Sequence, residues 1–274
     1  MDDHGQRGRY ESLAAAAVAV LEAAEPAAKT ALSFAAATAW RAGALKVGVA
    51  APPGHPARPA RPVLMAPRHM PRRRAAGTRQ SRIALLHAVA HIELNAIDLA
   101  WDIIARFTGE GLPRAFYDDW VGVAAEEARH FTLLTDRLAA LGAAYGDLPA
   151  HGGLWEAAEN TADHLAARLA VVPLVLEARG LDVTPAMIER LRRAGDEDSA
   201  AALGIIYRDE IGHVAVGCRW FKHVCAAHGD DPQSAFQRLV RERYAGALKP
   251  PFNGAARDRA GLPPGFYEPL VAGS

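Results

Sequence analysis

The sequence contains only two cysteines, Cys218 and Cys225. Seven residues apart on a helix, they would lie on one face about two turns from each other, which is too far for easy disulfide formation. The chain has no Cys-x-x-Cys pair, which excludes a zinc ribbon and a rubredoxin-type iron centre. Two reduced thiols are typical of a cytoplasmic protein, and we expect that location.

Net charge is also absent, because 31 Lys and Arg residues balance 31 Asp and Glu residues. A general electrostatic attraction to nucleic acid or to an acidic surface is therefore excluded. The polar, acidic start lacks the basic region of a signal peptide, and no apolar run reaches about 18 residues. We expect neither a secretion signal nor contact with a membrane.

Strand-like alternation is scarce, whereas helical periodicity is strong from Ser81 onward. We therefore predict an all-α protein, whose helix ends are set by proline, glycine and capping residues. Thr184 followed by Pro185 is typical of a helix start, and Gly180 of a helix end. The predicted helices are one or two over 10–42 with a break at Pro26, then 81–108, 114–144, 155–180, 184–194, 197–225 and 232–246.

Residues 51–80 differ from the rest of the chain in having seven prolines, seven arginines and no acidic residue. This composition predicts an extended, basic arm. One interpretation is that the arm contacts an anionic partner such as RNA. The other is a strap that packs across the remainder of the chain, whose net charge of about −7 balances the arm. We favour the strap.

Two Glu-x-x-His pairs occur among fifteen glutamates: Glu127 with His130, and Glu210 with His213. Residues three apart share one face of a helix, so each pair directs a carboxylate and an imidazole at the same point. Glu93 precedes the first pair by nearly the same distance in sequence as Glu177 precedes the second. The sequence thus repeats a helix with Glu followed by a helix with Glu-x-x-His.

Apolar residues flank these glutamates at the spacing of a buried helical stripe. A buried carboxylate is costly unless it is paired or coordinated, and no Lys or Arg lies on these stripes. A cation is therefore required. The stripes are Leu86, Ala90, Glu93, Ile97, Ala100 and Ile104; Trp120, Val123, Glu127, His130, Leu134, Leu138 and Leu141; and Leu203, Ile206, Glu210, His213, Gly217 and Trp220.

Two metal ions would supply that cation. A Glu from each of two helices and Glu-x-x-His from two more form the ligand set of di-iron carboxylate bundles. Carboxylate-rich sites with one imidazole per metal suit iron, with manganese as an alternative. In the usual arrangement Glu127 and Glu210 bridge the metals. The predicted ligands are Glu93, Glu127, His130, Glu177, Glu210 and His213.

A second polar line on the 81–108 helix faces away from Glu93. It consists of His87, His91, Asp98 and Asp102, and His91 lies about 160° around the helix from Glu93. This line could hold another metal, but we favour hydrogen bonding to the N-terminal segment.

Helix lengths predict how the elements are arranged. With a helical rise of about 1.5 Å per residue, Glu93 and Glu127 come level in an antiparallel pair. The 145–154 linker is long enough to return the chain along a bundle. This favours a ferritin-like four-helix bundle in up-down-down-up order, with Pro173 as a kink before Glu177. The predicted domains are an N-terminal helical segment (1–50), the basic arm (51–80), the bundle (81–225) and a C-terminal helix with an irregular tail (226–274).

Five segments carry further motifs: HAVAHIELNAIDLAWD (87–102), EEARHF (126–131), LEARGLDVTP (176–185), YRDEIGHVAVGCRWF (207–221) and KPPFNGAARDRAGL (249–262). Together they resemble an uncharacterised bacterial family within the ferritin-like superfamily, over nearly the whole chain after about residue 50. The resemblance implies the fold and the di-iron site. It leaves the reaction open, because the superfamily includes ferritins, rubrerythrins, a tRNA hydroxylase and radical-generating reductase subunits.

From these features we expect an oxidoreductase, a hydroxylase or monooxygenase, that uses O₂ or peroxide, an external electron donor and a small-molecule substrate. The missing cysteine cluster excludes a self-contained rubrerythrin peroxidase. A tRNA-modifying hydroxylase that uses the basic arm, and a non-catalytic or iron-handling bundle, stay as alternatives. A homodimer is left open.

Overall fold

A computed structural model describes residues 10–65 and 77–271 of the chain, which are mostly helical, as predicted. The described residues divide into two compact units. The N-terminal unit consists of residues 10–65 and 87–152, and the C-terminal unit of residues 77–86 and 153–271.

The N-terminal unit is built on long helices that bury apolar stripes. Helices α1 (Leu13–Glu22) and α2 (Pro26–Arg41) are separated at Pro26, the predicted break, and α2 packs on α4 (Arg114–Ala140). Ser12 caps α1 by accepting a hydrogen bond from the Ala15 backbone N–H at 3.1 Å. The elements are α1 (Leu13–Glu22), α2 (Pro26–Arg41), β1 (Leu64–Met65), α3 (Arg79–Arg106), a 3₁₀ turn (Thr108–Glu110), α4 (Arg114–Ala140) and β2 (Ala150–His151), where β1 and β2 form a short parallel pair. The first residues of α3, up to 86, belong to the C-terminal unit.

Helix α3 is long and apolar, which raises the question of a membrane span. Within the described part of the chain it alone has the length and composition to cross a membrane. However, 83% of its most apolar window is buried within the protein. That burial is typical of a core helix.

The C-terminal unit is organised around a helical hairpin in which α7 (Ala178–Arg193) packs along α8 (Glu197–His228). The turn uses Gly195 at φ +71°, and Asp196 then caps α8 by accepting from the Ser199 backbone N–H at 3.1 Å. Helix α9 (Pro232–Arg243) packs on α6 (Leu165–Val171) and on α8. The elements are α5 (Trp155–Glu159), α6 (Leu165–Val171), a π-helical segment (Val172–Glu177), α7 (Ala178–Arg193), α8 (Glu197–His228), α9 (Pro232–Arg243), α10 (Gly254–Arg259), α11 (Pro264–Tyr267) and a 3₁₀ turn (Glu268–Leu270).

The prediction of a helix end at Gly180 and a separate short helix over 184–194 is wrong. The chain stays helical from Leu165 to Arg193, so both Gly180 and Pro185 lie inside it. Proline has no N–H for the carbonyl four residues earlier, which is that of Leu181. The side-chain amide of Asn253 donates to the Leu181 carbonyl instead, at 3.1 Å. A contact from a distant part of the chain thus satisfies the carbonyl whose missing partner would favour a helix break at Pro185.

This continuity changes the position of Glu177. The predicted 155–180 helix would place Glu177 within about one turn of its end, whereas Glu210 would lie deep within the 197–225 helix. In the structure the hairpin turn begins at Ala194 and ends at Asp196. Sixteen helical residues lie between Glu177 and the turn, and thirteen lie between the turn and Glu210, a difference of less than one helical turn. The two glutamates are therefore at comparable depth along the hairpin.

Candidate metal centre

Three predicted ligands lie together inside the N-terminal unit. Nδ1 of His130 is 3.2 Å from a carboxylate oxygen of Glu93 and 3.3 Å from one of Glu127. One candidate ligand atom from each residue lies within 4.8 Å of those of the other two. Glu127 and His130 have no exposed surface, and Glu93 is 4% exposed. These three residues form the N-terminal triad.

Helix geometry explains why these side chains meet. Glu127 and His130 are three apart on α4 and so share a face, whereas Glu93 comes from α3. The predicted stripes on both helices are buried, except for Leu141, which is half-buried at the end of α4. The carboxylates are therefore carried into the interior by the apolar residues around them.

The charge of the two carboxylates dominates this cluster. Burial by itself lowers the pKa of His130, but its hydrogen bonds with Glu127 and Glu93 and their negative charges outweigh burial and raise the pKa to about 11. The cluster therefore attracts positive charge strongly, in the form of a proton or a metal ion. Two carboxylates and one imidazole match what iron and manganese prefer.

The other three predicted ligands lie in the C-terminal unit. Glu210 and His213 are three apart on α8, with His213 Nδ1 3.7 Å from a carboxylate oxygen of Glu210. Their exposures are 8% and 1%. Glu177 is half-buried and is the last residue of the π-helical segment. We refer to Glu177, Glu210 and His213 as the C-terminal triad.

The π-helical segment Val172–Glu177 is the feature of the site that the sequence did not fully reveal. Pro173 predicted a kink, and the structure has a π turn there, an element found often at functional sites. Gly217 of α8 makes room for it, since a Cβ at that position would overlap the ring of Pro173. The signal in the sequence was the pairing of a proline before Glu177 with a glycine after His213.

The polar line on the far face of α3 is engaged in hydrogen bonds. Nε2 of His91 lies 3.1 Å from the His151 carbonyl and must donate to it, so Nδ1 accepts from the Tyr145 hydroxyl at 2.8 Å. His87 Nε2 accepts from the Gly146 N–H at 2.9 Å. Burial lowers the pKa of both imidazoles, that of His91 to about 4. These partners come from residues 145–151, not from the predicted N-terminal segment.

Asp98, on the same line, does contact the N-terminal segment as predicted. Its carboxylate pairs with Lys29 at 2.5 Å, and both side chains are fully buried. Its second oxygen accepts a short hydrogen bond from Arg58, whose guanidinium also donates to Asn95 at 2.7 Å. Asp102 instead pairs within α3, with Arg106 at 2.6 Å.

The contacts of Arg58 bear on the basic arm. Arg106 donates to the Pro53 carbonyl at 3.0 Å, which is a second attachment of the arm to α3. For residues 51–65 these contacts favour the strap over an RNA-binding segment. The arm's residues 66–76, with four of its arginines, lie outside the described residues.

Both cysteines are free thiols on α8, as their spacing predicted, and both are buried. Burial raises the pKa of the Cys218 thiol to about 12 and that of the Cys225 thiol to about 11. A thiol with so high a pKa is a poor nucleophile and a poor metal ligand at neutral pH. Neither cysteine is a candidate functional residue.

Comparison with known proteins gives one family and one relative. Residues 22–268 match the sequence model of a family described as "Protein of unknown function (DUF455)". An uncharacterized protein of Haemophilus influenzae is 44% identical over 211 residues, which cover 74% of this chain and 72% of the relative. No solved structure matches.

Proposed function

This chain belongs to the DUF455 family of proteins of unknown function, and we propose that it is a di-iron carboxylate oxidoreductase of ferritin-like fold. The observation that carries the proposal is the N-terminal triad. Glu93 and Glu127 are buried close together, and the carboxylates of both lie near one imidazole nitrogen, Nδ1 of His130. Burying two carboxylates is costly, and a metal ion is the usual compensation.

The donor atoms fit iron or manganese better than other metals. Each triad offers two carboxylates and one imidazole, and neither contains a thiolate. Zinc and copper(I) sites generally use softer ligands, whereas calcium and magnesium sites use oxygen alone. Glu93, Glu127 and His130 would hold one metal ion, and Glu177, Glu210 and His213 a second.

We propose that the two triads form one di-metal centre within a four-helix bundle made of α3, α4, the continuous helix through α7, and α8. Support comes from the repeated order of the motifs and from the comparable depth of Glu177 and Glu210 along their hairpin. This ligand pattern is that of ferritin-like carboxylate proteins. Glu93, Glu127, Glu177 and Glu210 would supply the carboxylates of this centre, and His130 and His213 its imidazoles.

When bound, such a metal pair activates O₂ or peroxide for the oxidation of a substrate. The chain's own part is to bind the metals with buried carboxylates and to exclude water with the apolar stripes around them. An oxygenase reaction also needs an external electron donor. We propose a hydroxylase or monooxygenase reaction on a small-molecule substrate.

Anaerobic iron loading followed by exposure to O₂ tests the proposal. We expect two Fe(II) per chain, and oxygen-dependent oxidation with new near-ultraviolet absorption. Glu127→Gln should abolish both. Glu126→Gln is the matched control, because residue 126 lies about 100° away on the same helix and should keep both. Binding of two irons without oxidation would leave a metal-stabilised, non-catalytic bundle, and no bound iron or manganese would refute the proposal.

An RNA substrate is an alternative that depends on the basic arm. The bonds from Arg58 to Asp98 and Asn95 favour a structural role for the arm's first half. A tRNA retardation assay at physiological salt decides the question. An arm that binds tRNA should lose affinity when Arg72, Arg73 and Arg74 are changed to Ala, whereas a strap gives no shift in either protein.

A further inference from the structure

A buried ion pair outside the predicted ligands joins the C-terminal tail to α7. The guanidinium of Arg257, in α10, donates to both carboxylate oxygens of Asp182, at 2.8 and 2.7 Å. The Asp182 side chain is fully buried, and Arg257 is 2% exposed. The guanidinium carbon lies 4.9 Å from the ring centroid of Phe252 and 4.4 Å from that of Tyr267. A bidentate pair enclosed by two aromatic rings has a fixed geometry.

Asn253 makes a second attachment beside the ion pair. Its side-chain amide donates to the Leu181 carbonyl at 3.1 Å, the acceptor that Pro185 leaves without an N–H. The same amide lies 2.9 Å from the Tyr207 hydroxyl, and the Asn253 backbone N–H donates to Asp182 at 2.9 Å. The tail therefore replaces a hydrogen bond that the helix itself cannot make.

These attachments lie within about one helical turn of the C-terminal triad. Arg257 also donates to the carbonyl of Ala178, the residue directly after Glu177, at 3.3 Å. Tyr207 is three residues before Glu210 on α8, and so on the same face. At the other end of the π turn, Gly217 receives the ring of Pro173 and lies four residues after His213.

We propose that Arg257, Asp182 and Asn253 are positioning residues for Glu177. A π turn is a rare backbone form and persists where surrounding contacts hold it. Gly217 and Pro173 fix its beginning, and the tail fixes its end at Ala178 and Leu181. The proposal rests on the di-metal function, because it makes the tail a support for one metal ligand. Ligand orientation by outer residues is general in metal sites.

Another contact of the tail, between Lys222 and Gly261, provides a control. Lys222 Nζ donates to the Gly261 carbonyl at 2.9 Å, an exposed bond that involves no residue of α7. A tail that serves only to anchor the end of the chain should respond similarly to loss of this bond and to loss of the Asn253 bonds. A tail that positions Glu177 should not.

Hydrogen exchange of the metal-free full-length protein tests the positioning directly. In Asn253→Ala and Arg257→Lys we expect the amides of residues 172–181 to exchange roughly tenfold faster or more, and in Lys222→Met to stay at the wild-type rate. Arg257→Lys keeps the charge but loses the bidentate geometry. If Arg257→Lys fails to fold, Asn253→Ala, which keeps both members of the ion pair, decides. Equal rates in Asn253→Ala and Lys222→Met would overturn the proposal.

Anaerobic Fe(II) titration of the same proteins gives the second measurement. We expect Asn253→Ala and Arg257→Lys to bind the weaker of two irons about 10–100-fold less tightly and to keep the stronger. Double variants that combine Glu177→Gln with Asn253→Ala or with Arg257→Lys should lose no more Fe(II) affinity than Glu177→Gln alone, because both changes act on the same ligand. Wild-type affinity for both irons would overturn the proposal. If wild-type protein binds no iron, the proposed function fails, and the exchange rates alone decide whether the tail holds the turn.

Discussion

The two triads share a sequence pattern but differ in the backbone that carries them. In the N-terminal triad both helices that carry the predicted ligands are regular, and Nδ1 of His130 lies 3.2 and 3.3 Å from the carboxylates of Glu93 and Glu127. In the C-terminal triad His213 lies 3.7 Å from Glu210, and Glu177 ends a π turn. The N-terminal triad is thus formed by ordinary helix packing, whereas one member of the C-terminal triad, Glu177, is carried by an irregular segment.

This difference indicates that equal motifs do not give equal sites. A ligand on a regular helix is fixed by neighbouring turns, whereas a ligand on a π turn needs support from elsewhere. Here that support comes from Gly217 and from the tail residues Asn253 and Arg257. We therefore expect the N-terminal triad to bind its metal more tightly than the C-terminal triad does.

The largest effect should come from removing one terminal ligand from each triad. Changing a carboxylate to Gln removes the negative charge at nearly constant volume, and we expect losses of affinity beyond the roughly 10–100-fold typical of outer-residue changes. Glu93→Gln should remove the tighter Fe(II), and Glu177→Gln only the weaker one. Anaerobic titration measures both. Identical titration curves for the two variants would contradict the inequality of the triads.

A smaller effect, on stability, should follow from filling the space beside the π turn. Gly217→Ala places a Cβ against the Pro173 ring, and such overpacking typically costs about 1–3 kcal/mol. Gly212→Ala on the same helix meets no atom within 4 Å and should be neutral or stabilising by up to about 1 kcal/mol. Urea unfolding measures both changes. Equal stabilities would show that the π turn does not need the glycine.

The smallest effect concerns pH and the N-terminal unit. Burial lowers the pKa of His87, partly offset by the charge of Asp147. Below about pH 6.5 the unfolded chain binds a proton that the folded chain resists, so the free energy of unfolding falls as the pH falls. His87→Gln should flatten this dependence between about pH 7 and 5, because Gln still offers an acceptor to the Gly146 N–H. A dependence in His87→Gln as steep as in the wild type, measured by urea unfolding at each pH, would contradict this account.

Most of the helices and the N-terminal triad follow from the sequence because they depend on local periodicity. The stripes around Glu93, Glu127 and Glu210 predicted buried faces, and those residues are buried. The break at Pro26 was likewise a local signal that nothing overrode. Domain boundaries and the pairing of the two triads stay predictions.

The path of the chain between Pro173 and Arg193 could not be predicted in the same way. Gly180 and Thr184-Pro185 are ordinary signals for a helix end and a helix start. The effect of Pro185 is offset by Asn253, which satisfies the carbonyl that the proline leaves without an N–H. The π turn similarly depends on room provided by Gly217. Both causes are long-range contacts, which periodicity does not report.

The central claim is that six side chains bind two iron-type ions, and anomalous diffraction at the iron absorption edge tests it most directly. From crystals loaded with Fe(II), we expect two anomalous peaks. One should lie within bonding distance of Glu93 and His130, and the other within bonding distance of Glu177 and His213. The absence of peaks at these residues, or iron bound elsewhere in the chain, would contradict the account.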